Sequence, residues 1–438
     1  MTPYAPSPIF LTLLVGARFI AAHRRAVALL AALVSVLLAI LGHHDAAPIP
    51  FALGIGQLAT PYPDPIQPQV DVNDYLRAQT QRVGTSTVTY ASGTDSAPSG
   101  RSRFTLPKVG LASRLYLDVD GGSSTAYDFT AGGGTGANTS RGPWQIIDRI
   151  SVKVNGGSGW YDVSGFGTYL VNSVEGDDRF LETTSAGKVY TTAPTDLEST
   201  IFSYDATADS RPRFGLEIPF CLGPANPLGM ILLQNDQTTV EVEITWATLS
   251  NFATLAGGAS ATLTLTATLI LEYFDIPPRD AFLAFFLPML SWAHWWREER
   301  QDVTATGRDA NIVTLDNHDT YLRVIHSFIR NSVINTDNVT DVRFVLNRQH
   351  TLFDHDDATQ WRRQRQSFGK DLPAVVWDFF RTGTMRDVIH ADAYTDIRSV
   401  IDIDSVTGTC FMLTASEKLV YLGDPIGGMA ASAAVVGG

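Results

Sequence analysis

The sequence predicts an all-β protein made of two consecutive jelly-roll β-sandwiches, with short inserted helices and an N-terminal apolar helix. Three observations predict it. Apolar and polar residues alternate with period two through short segments over most of residues 70–423, which gives each segment one core-facing and one water-facing side. Gly-rich and Pro-containing breaks separate those segments as turns and loops. The alternation comes in two blocks divided by Pro277-Pro278, and a chain of 438 residues exceeds what one hydrophobic core usually serves.

Residues 1–47 differ from the rest. The run AVALLAALVSVLLAIL, Ala26 to Leu41, is apolar throughout, and IFLTLLVGARFIAA precedes it. It is slightly shorter than the roughly 20 residues a bilayer span needs. The expected arrangement is a membrane-associated helix with Leu29, Leu30, Leu37, Leu38 and Leu41 inserted and Arg24 and Arg25 at the headgroups. A cleaved signal peptide and a helix buried between subunits are the competing readings. Residues 48–69 contain TPYPDPIQPQ, a proline-rich linker that excludes regular helix and central strand.

The first jelly roll is expected over residues 70–276, with strands in RLYLDVD, RISVKVNG, FGLEIPF, TTVEVEITW and ATLTLTATLILEYF. DGGSSTAYDFTAGGGTGANTSRG is expected as an exposed loop. Residues 277–300 are expected to hold the interdomain linker and the start of the second domain. There, AFLAFFLPMLSWAHWW brings Trp292, Trp295 and Trp296 into interdomain or subunit packing. The second jelly roll is expected over 301–423, with strands in NIVTL, YLRVIHSFI, TDVRFVLN, AVVWDFF, SVIDID, CFMLTAS and KLVYLG, and residues 424–438 form a flexible tail.

Within the second block, LFDHDDATQWRRQRQSFGKDLPAVVWDFF predicts one amphipathic helix. Asp356 or Asp357 is the N-cap, Gly369 the left-handed stop and Pro373 follows. Trp361, Arg365 and Phe368 fall on one side, with Trp361 as the anchor. The acidic cluster lies at the positive end of the helix dipole and Arg362, Arg363 and Arg365 nearer the negative end, so caps explain Asp354, His355 and Asp356 better than a metal does.

Composition excludes several functions. The net charge of −13 argues against direct nucleic-acid binding, which needs an excess of Lys and Arg. Cys221 and Cys410 lack zinc-ligand spacing and read as buried thiols, with one long-range disulfide as the alternative. There is no G-x-S-x-G; GGSGW around Ser158 reads as a turn, and GGGTG at 132–136 lacks the lysine of a phosphate loop. His318, His326, His350 and His355 share one block, but His326 alternates within an apolar strand and reads as a core or interface residue. No enzyme and no cofactor is expected. A secreted or surface carbohydrate-binding sandwich, stacking sugars on Trp144, Trp160 and Tyr161, is the alternative.

The order of strand, acidic turn, W-x-x-Q-x-x with arginines, D-L-P and aromatic strand resembles the second jelly roll of the tectivirus major capsid protein, from tailless icosahedral bacteriophages with an internal membrane. The matching residues are Trp361, Gln364, Arg365, Asp371 and Pro373, followed by Val375, Val376 and Asp378. FGTYLVNSV and LEYFDIPPRDAFLAFFLPML are similar in order and character to other parts of that family. The resemblance implies a double jelly roll and a homotrimer of pseudo-hexagonal outline, tiling an icosahedral shell over a lipid membrane reached through the N-terminus. It also implies neighbouring capsomers and minor capsid or vertex proteins as partners, and a virion capsid assembled in the host cytoplasm. Trp361, Gln364, Arg365, Phe368 and Pro373, with Trp292, Trp295 and Trp296, are then structural or interface residues.

Overall fold

A computed structural model describes residues 78–93, 101–120, 135–138, 141, 143–157, 159–175, 213–223, 226–256, 261–276, 289–383, 385 and 387–422. The N-terminal apolar segment, with Arg24, Arg25, Leu29, Leu30, Leu37, Leu38 and Leu41, lies outside these residues, as do the proline-rich linker and the C-terminal tail. Among the described residues no helix is long and apolar enough to cross a membrane.

The first half contains β1 (Ala78–Gly93), β2 (Arg101–Thr105), β3 (Leu111–Asp120), β4 (Thr135–Asn138), β5 (Ile147–Val154) and β6 (Gly159–Val163). Helix α1 (Gly165–Glu175) follows, then β7 (Arg213–Pro219), β8 (Ile231–Leu232), β9 (Val240–Trp246), the short α2 (Leu249–Phe252), β10 (Ala253–Ala256) and β11 (Ala261–Phe274). The second half contains β12 (Trp292–Asp302), β13 (Ile312–Leu315), β14 (Thr320–Arg330), β15 (Val333–Ile334), β16 (Val339–Leu346) and β17 (His350–Asp356). It continues through α3 (Asp357–Phe368), β18 (Val375–Asp378), β19 (Ile389–His390), β20 (Ile397–Ile403) and β21 (Cys410–Tyr421).

Pairing, rather than strand count, identifies the fold. Setting aside β4, β8 and β10, the described residues of the first half supply eight strands, and the sheets run β1-β11-β3-β7 and β2-β9-β5-β6. In chain order within that half these are strands 1-8-3-6 and 2-7-4-5. With β15 and β19 set aside, the second half repeats both orders as β12-β21-β14-β18 and β13-β20-β16-β17. Each half is therefore a complete jelly roll, closed by two four-stranded antiparallel sheets.

The two jelly rolls share a sheet. β6 pairs in parallel with β12, through Trp296 opposite Tyr161 and Arg297 opposite Asp162, and this joins one sheet of each into a ten-stranded whole. The apolar core follows the same continuity: the first cluster contains Leu117, Ile150 and Val242 together with Trp296, Ile325, Val376, Phe411 and Leu413 of the second half. A second cluster, with Val324, Val342, Phe344 and Trp377, fills the second barrel.

Period two gives the predicted faces. In β9, Val240, Val242, Ile244 and Trp246 are buried while the residues between them are more exposed. Three expectations need correction. CFMLTAS and KLVYLG are one strand, β21, because Glu417 and Lys418, which look like a break, are buried against Arg323 and His294 and against Asp316 respectively. Part of the expected Gly-rich loop, Thr135–Asn138, pairs as β4 with β10. The acidic turn before α3 is strand: Asp354, His355 and Asp356 belong to β17, paired with β16.

The tryptophan-rich junction is also strand. Trp292–Asp302 forms β12, between β21 and β6, so regular structure of the second jelly roll begins ahead of residue 301. Trp296 is fully buried in the first core cluster. Trp292 tilts against Tyr421 with ring centroids 5.1 Å apart, and Trp295 is half-buried opposite Lys418.

Candidate functional site

The feature that makes one unit of two jelly rolls is their joint, and helix α1 is its centre. All of α1 except Glu175 is buried, so its sequence carries no polar stripe to mark it as a helix. Its start is set by two close approaches. A Cβ on Gly165 would stand 2.0 Å from the Trp144 carbonyl oxygen, and one on Gly167 would stand 1.9 Å from Glu298 Oε2. The Trp144 indole stacks on Tyr169 one turn later, with centroids 3.7 Å apart.

Glu298 comes from β12 of the second jelly roll and is buried at the N-terminus of α1. Ser164 Oγ accepts from the Gly167 N–H at 3.0 Å, as a cap does, and donates to Glu298 Oε2 at 2.8 Å. Burial pushes the Glu298 carboxyl up, while the Ser164 bond and the Arg149 charge pull it down. Arg149 holds Asp162 bidentately at 2.6 and 2.8 Å and donates to the Glu298 carbonyl at 3.0 Å. A carboxylate at the positive end of α1 is the favourable polarity.

At the other end, Glu175 lies 3.8 Å from Arg323 of β14, so a cation of the second jelly roll meets the negative end of the helix dipole. Arg323 also holds Glu417 at 3.0 Å and Asp378 at 3.2 Å, and His294 Nε2 lies 2.8 Å from Glu417 Oε1. Burial costs the Arg323 charge, but Glu417, Glu175 and Asp378 together hold its ionisation above the ordinary arginine value. Both ends of α1 thus meet a polar side chain of the neighbouring barrel, Glu298 at the start and Arg323 at the end.

The two helices also perform the same task on two sheet edges. β7 ends its sheet, and Asn172 of α1 pairs with its backbone at Glu217, donating to the carbonyl at 2.8 Å and accepting from the N–H at 3.0 Å. Among the described residues β18 is paired only with β14. There Gln364 of α3 accepts from the Val376 N–H at 2.7 Å and donates to the Ala374 carbonyl at 2.9 Å, while Gln360 donates to the Val376 carbonyl at 3.2 Å. Amide side chains so occupy edge groups that would otherwise be open to another strand.

This geometry corrects the expected face of α3. The caps are as expected, with Asp356 accepting from the Thr359 N–H at 2.9 Å and Gly369 left-handed at φ 74°. The buried side is Gln360 and Gln364, each fixed by the backbone bonds above. Trp361 is half-buried against the second core, Phe368 packs against the first, and Arg365 is exposed in a pair with Asp371. Pro373 contributes its carbonyl, which accepts from Ser327 Oγ at 3.0 Å. Gln364→Leu is therefore expected to cost about 1–3 kcal/mol by orphaning edge-strand groups. Trp361→Ala is expected to fall below the roughly 3–5 kcal/mol of a fully buried tryptophan. Urea unfolding of both variants checks the order.

The chemistry-bearing candidates do not assemble. His326 is buried on the second barrel's inner side with Nδ1 3.0 Å from Thr414 Oγ1; His355 meets Gln360 and Arg363; His318 and His350 are exposed. Among the described residues no three His, Cys, Asp or Glu side chains are grouped to hold a metal. Cys221 and Cys410 are both free and buried. Trp144 and Tyr161 are buried and Trp160 is half-buried against the first core, so the three do not offer an exposed sugar-stacking face.

No known family matches the sequence, and no curated protein does. Solved structures do share the fold. The chain is similar to the STIV MCP in its crystal structure, with a TM-score of 0.56 at 12% identity, over 79% of this chain and 97% of that one. The atomic structure of Sulfolobus Turreted Icosahedral Virus gives 0.56 and 12%, over 79% and 91%. The PBCV-1 virus capsid gives 0.51 and 9%, over 79% and 94%. At such identities the likeness is one of fold: the double jelly roll, over nearly the whole of each relative's chain, with tectiviruses not singled out.

Proposed function

We propose that this chain is the repeating structural subunit of an icosahedral viral capsid. The observation that carries the proposal is two complete jelly rolls in one chain, fused through a shared sheet, in a fold similar to that of the STIV MCP and the PBCV-1 capsid. In this reading three copies form a homotrimer of six barrels with a pseudo-hexagonal outline, which meets neighbouring capsomers and minor capsid or vertex proteins in the virion shell. The role is structural rather than enzymatic. The acidic balance suits a shell that leaves nucleic acid to other components.

The apolar N-terminus supports a further part of the reading, a membrane under the shell to which each subunit is tethered. A proline-rich connector at about 3.1 Å per extended residue is long enough to cross a gap of tens of ångströms. Light scattering of the full chain in mild detergent is expected to give three chain masses, and a monomer at micromolar concentration contradicts the trimer. The full chain is expected to float with liposomes where a chain starting at Val70 does not; equal behaviour removes the anchor.

A further inference from the structure

Among the described residues, the charges around Arg323 do not balance. Arg323 faces Glu417, Asp378 and Glu175, and Arg114 of β3 faces Glu217 in a close ion pair and Glu272 at 3.0 Å. His294 adds one imidazole, against Glu417. None of these side chains is more than 18% exposed. The two groups communicate, because Glu175 interacts electrostatically with Glu217 and Arg114 as well as with Glu417 and Arg323. Among the described residues, three carboxyls therefore meet one guanidinium group around Arg323. Three ionised carboxylates there would exceed the guanidinium charge, and a low-dielectric site sheds such an excess by keeping a proton.

Glu175 is the carboxyl placed to keep it. Of the three around Arg323 it stands farthest from the guanidinium, at 3.8 Å against 3.0 and 3.2 Å. It also ends α1, where the negative pole of the helix opposes a second negative charge. Glu417, although fully buried, is held below the ordinary range by Arg323 and His294, so it competes successfully for the cation.

We propose that the Glu175 carboxyl carries a proton in the folded chain and is an alkaline-sensitive latch between the two jelly rolls. Deprotonation breaks its O–H bond, passes the proton to water and leaves a carboxylate facing Glu417 from β21 and Glu217 from β7. Among the described residues Arg323 and Arg114, already shared, oppose it; Asp378 of β18 and His294 of β12 bear on it through Arg323 and Glu417, and Tyr161 of β6 and Cys221 are further titratable neighbours. The repulsion acts on the end of α1 that lies beside Arg323 of β14, and so loosens the joint. Burial first, then Glu417, pushes the Glu175 carboxyl from 4.5 to about 8. A carboxyl raised in this way gives stability that is complete below about 4.5 and lost as pH climbs through about 8.

The inference concerns the single chain and does not depend on the capsid reading. Unfolding of the full chain and of Glu175→Gln is followed from about pH 5 to about pH 9. The native chain is expected to lose roughly tenfold in folding equilibrium constant per pH unit relative to E175Q, levelling off above about pH 8. Parallel profiles overturn the latch. Infrared spectroscopy gives a second reading that does not need the variant to fold: a protonated-carboxyl band in the native chain near pH 6 that disappears by about pH 10. A native chain without that titrating band overturns the proposal as well.

Discussion

Replacing Arg323 with methionine is expected to destabilise the folded chain by about 3–5 kcal/mol, because it removes the cation from a buried group and leaves the carboxylates uncompensated. The side chain is 12% exposed and its partners Glu417, Asp378 and Glu175 are 1%, 12% and 18% exposed, so solvent cannot replace the lost charge. The loss should shrink as pH falls into the carboxyl range, where protonation removes the repulsion. Arg365→Met is the control. That arginine makes a bidentate contact with Asp371, but both groups are exposed, and no measurable loss is expected. Denaturant titrations of the two variants at several pH values measure the contrast. Equal effects would mean that the joint is not held by its buried charges.

The second large effect is acid lability through His326. Burial drives its imidazole from 6.5 down to about 3, with Nδ1 on Thr414 and Nε2 lacking a hydrogen-bond partner among the described residues. The folded chain then refuses a proton that the unfolded chain accepts below about pH 6.5. Stability is present above that value and is lost as pH falls towards about 3, at about 1.4 kcal/mol per pH unit for one proton. His326→Leu removes this limb and should flatten the acid side of the pH–stability curve, whatever its effect at neutral pH. An unchanged acid slope in the variant would place the titrating group elsewhere.

How much of this was legible in the sequence depended on whether the signal was local. Strands such as Val240–Trp246 announce themselves because alternation is a property of neighbouring residues, and α3 because Asp356 and Gly369 supply both caps within one segment. Helix α1 was hidden by being buried all round, with glycines at 165 and 167 whose reason lies in Trp144 and Glu298, distant in the chain. The buried side of α3 was misread because Gln360 and Gln364 are polar; only the open edge of β18 makes an amide the right residue to bury there. The joint was invisible for the same reason. Glu175, His294, Arg323, Asp378 and Glu417 form no motif in sequence and meet only when β12, β14, β18 and β21 are set in register around the end of α1. The N-terminal run is the opposite case, conspicuous in sequence and outside the described residues.

The central claim is that this double jelly roll is a shell-forming subunit, and electron microscopy of the purified full chain tests it most directly. The expected result is a uniform population of trimers with a pseudo-hexagonal outline, or closed shells tiled by them. Single two-barrel particles, monodisperse at the concentrations where such subunits assemble, would contradict it.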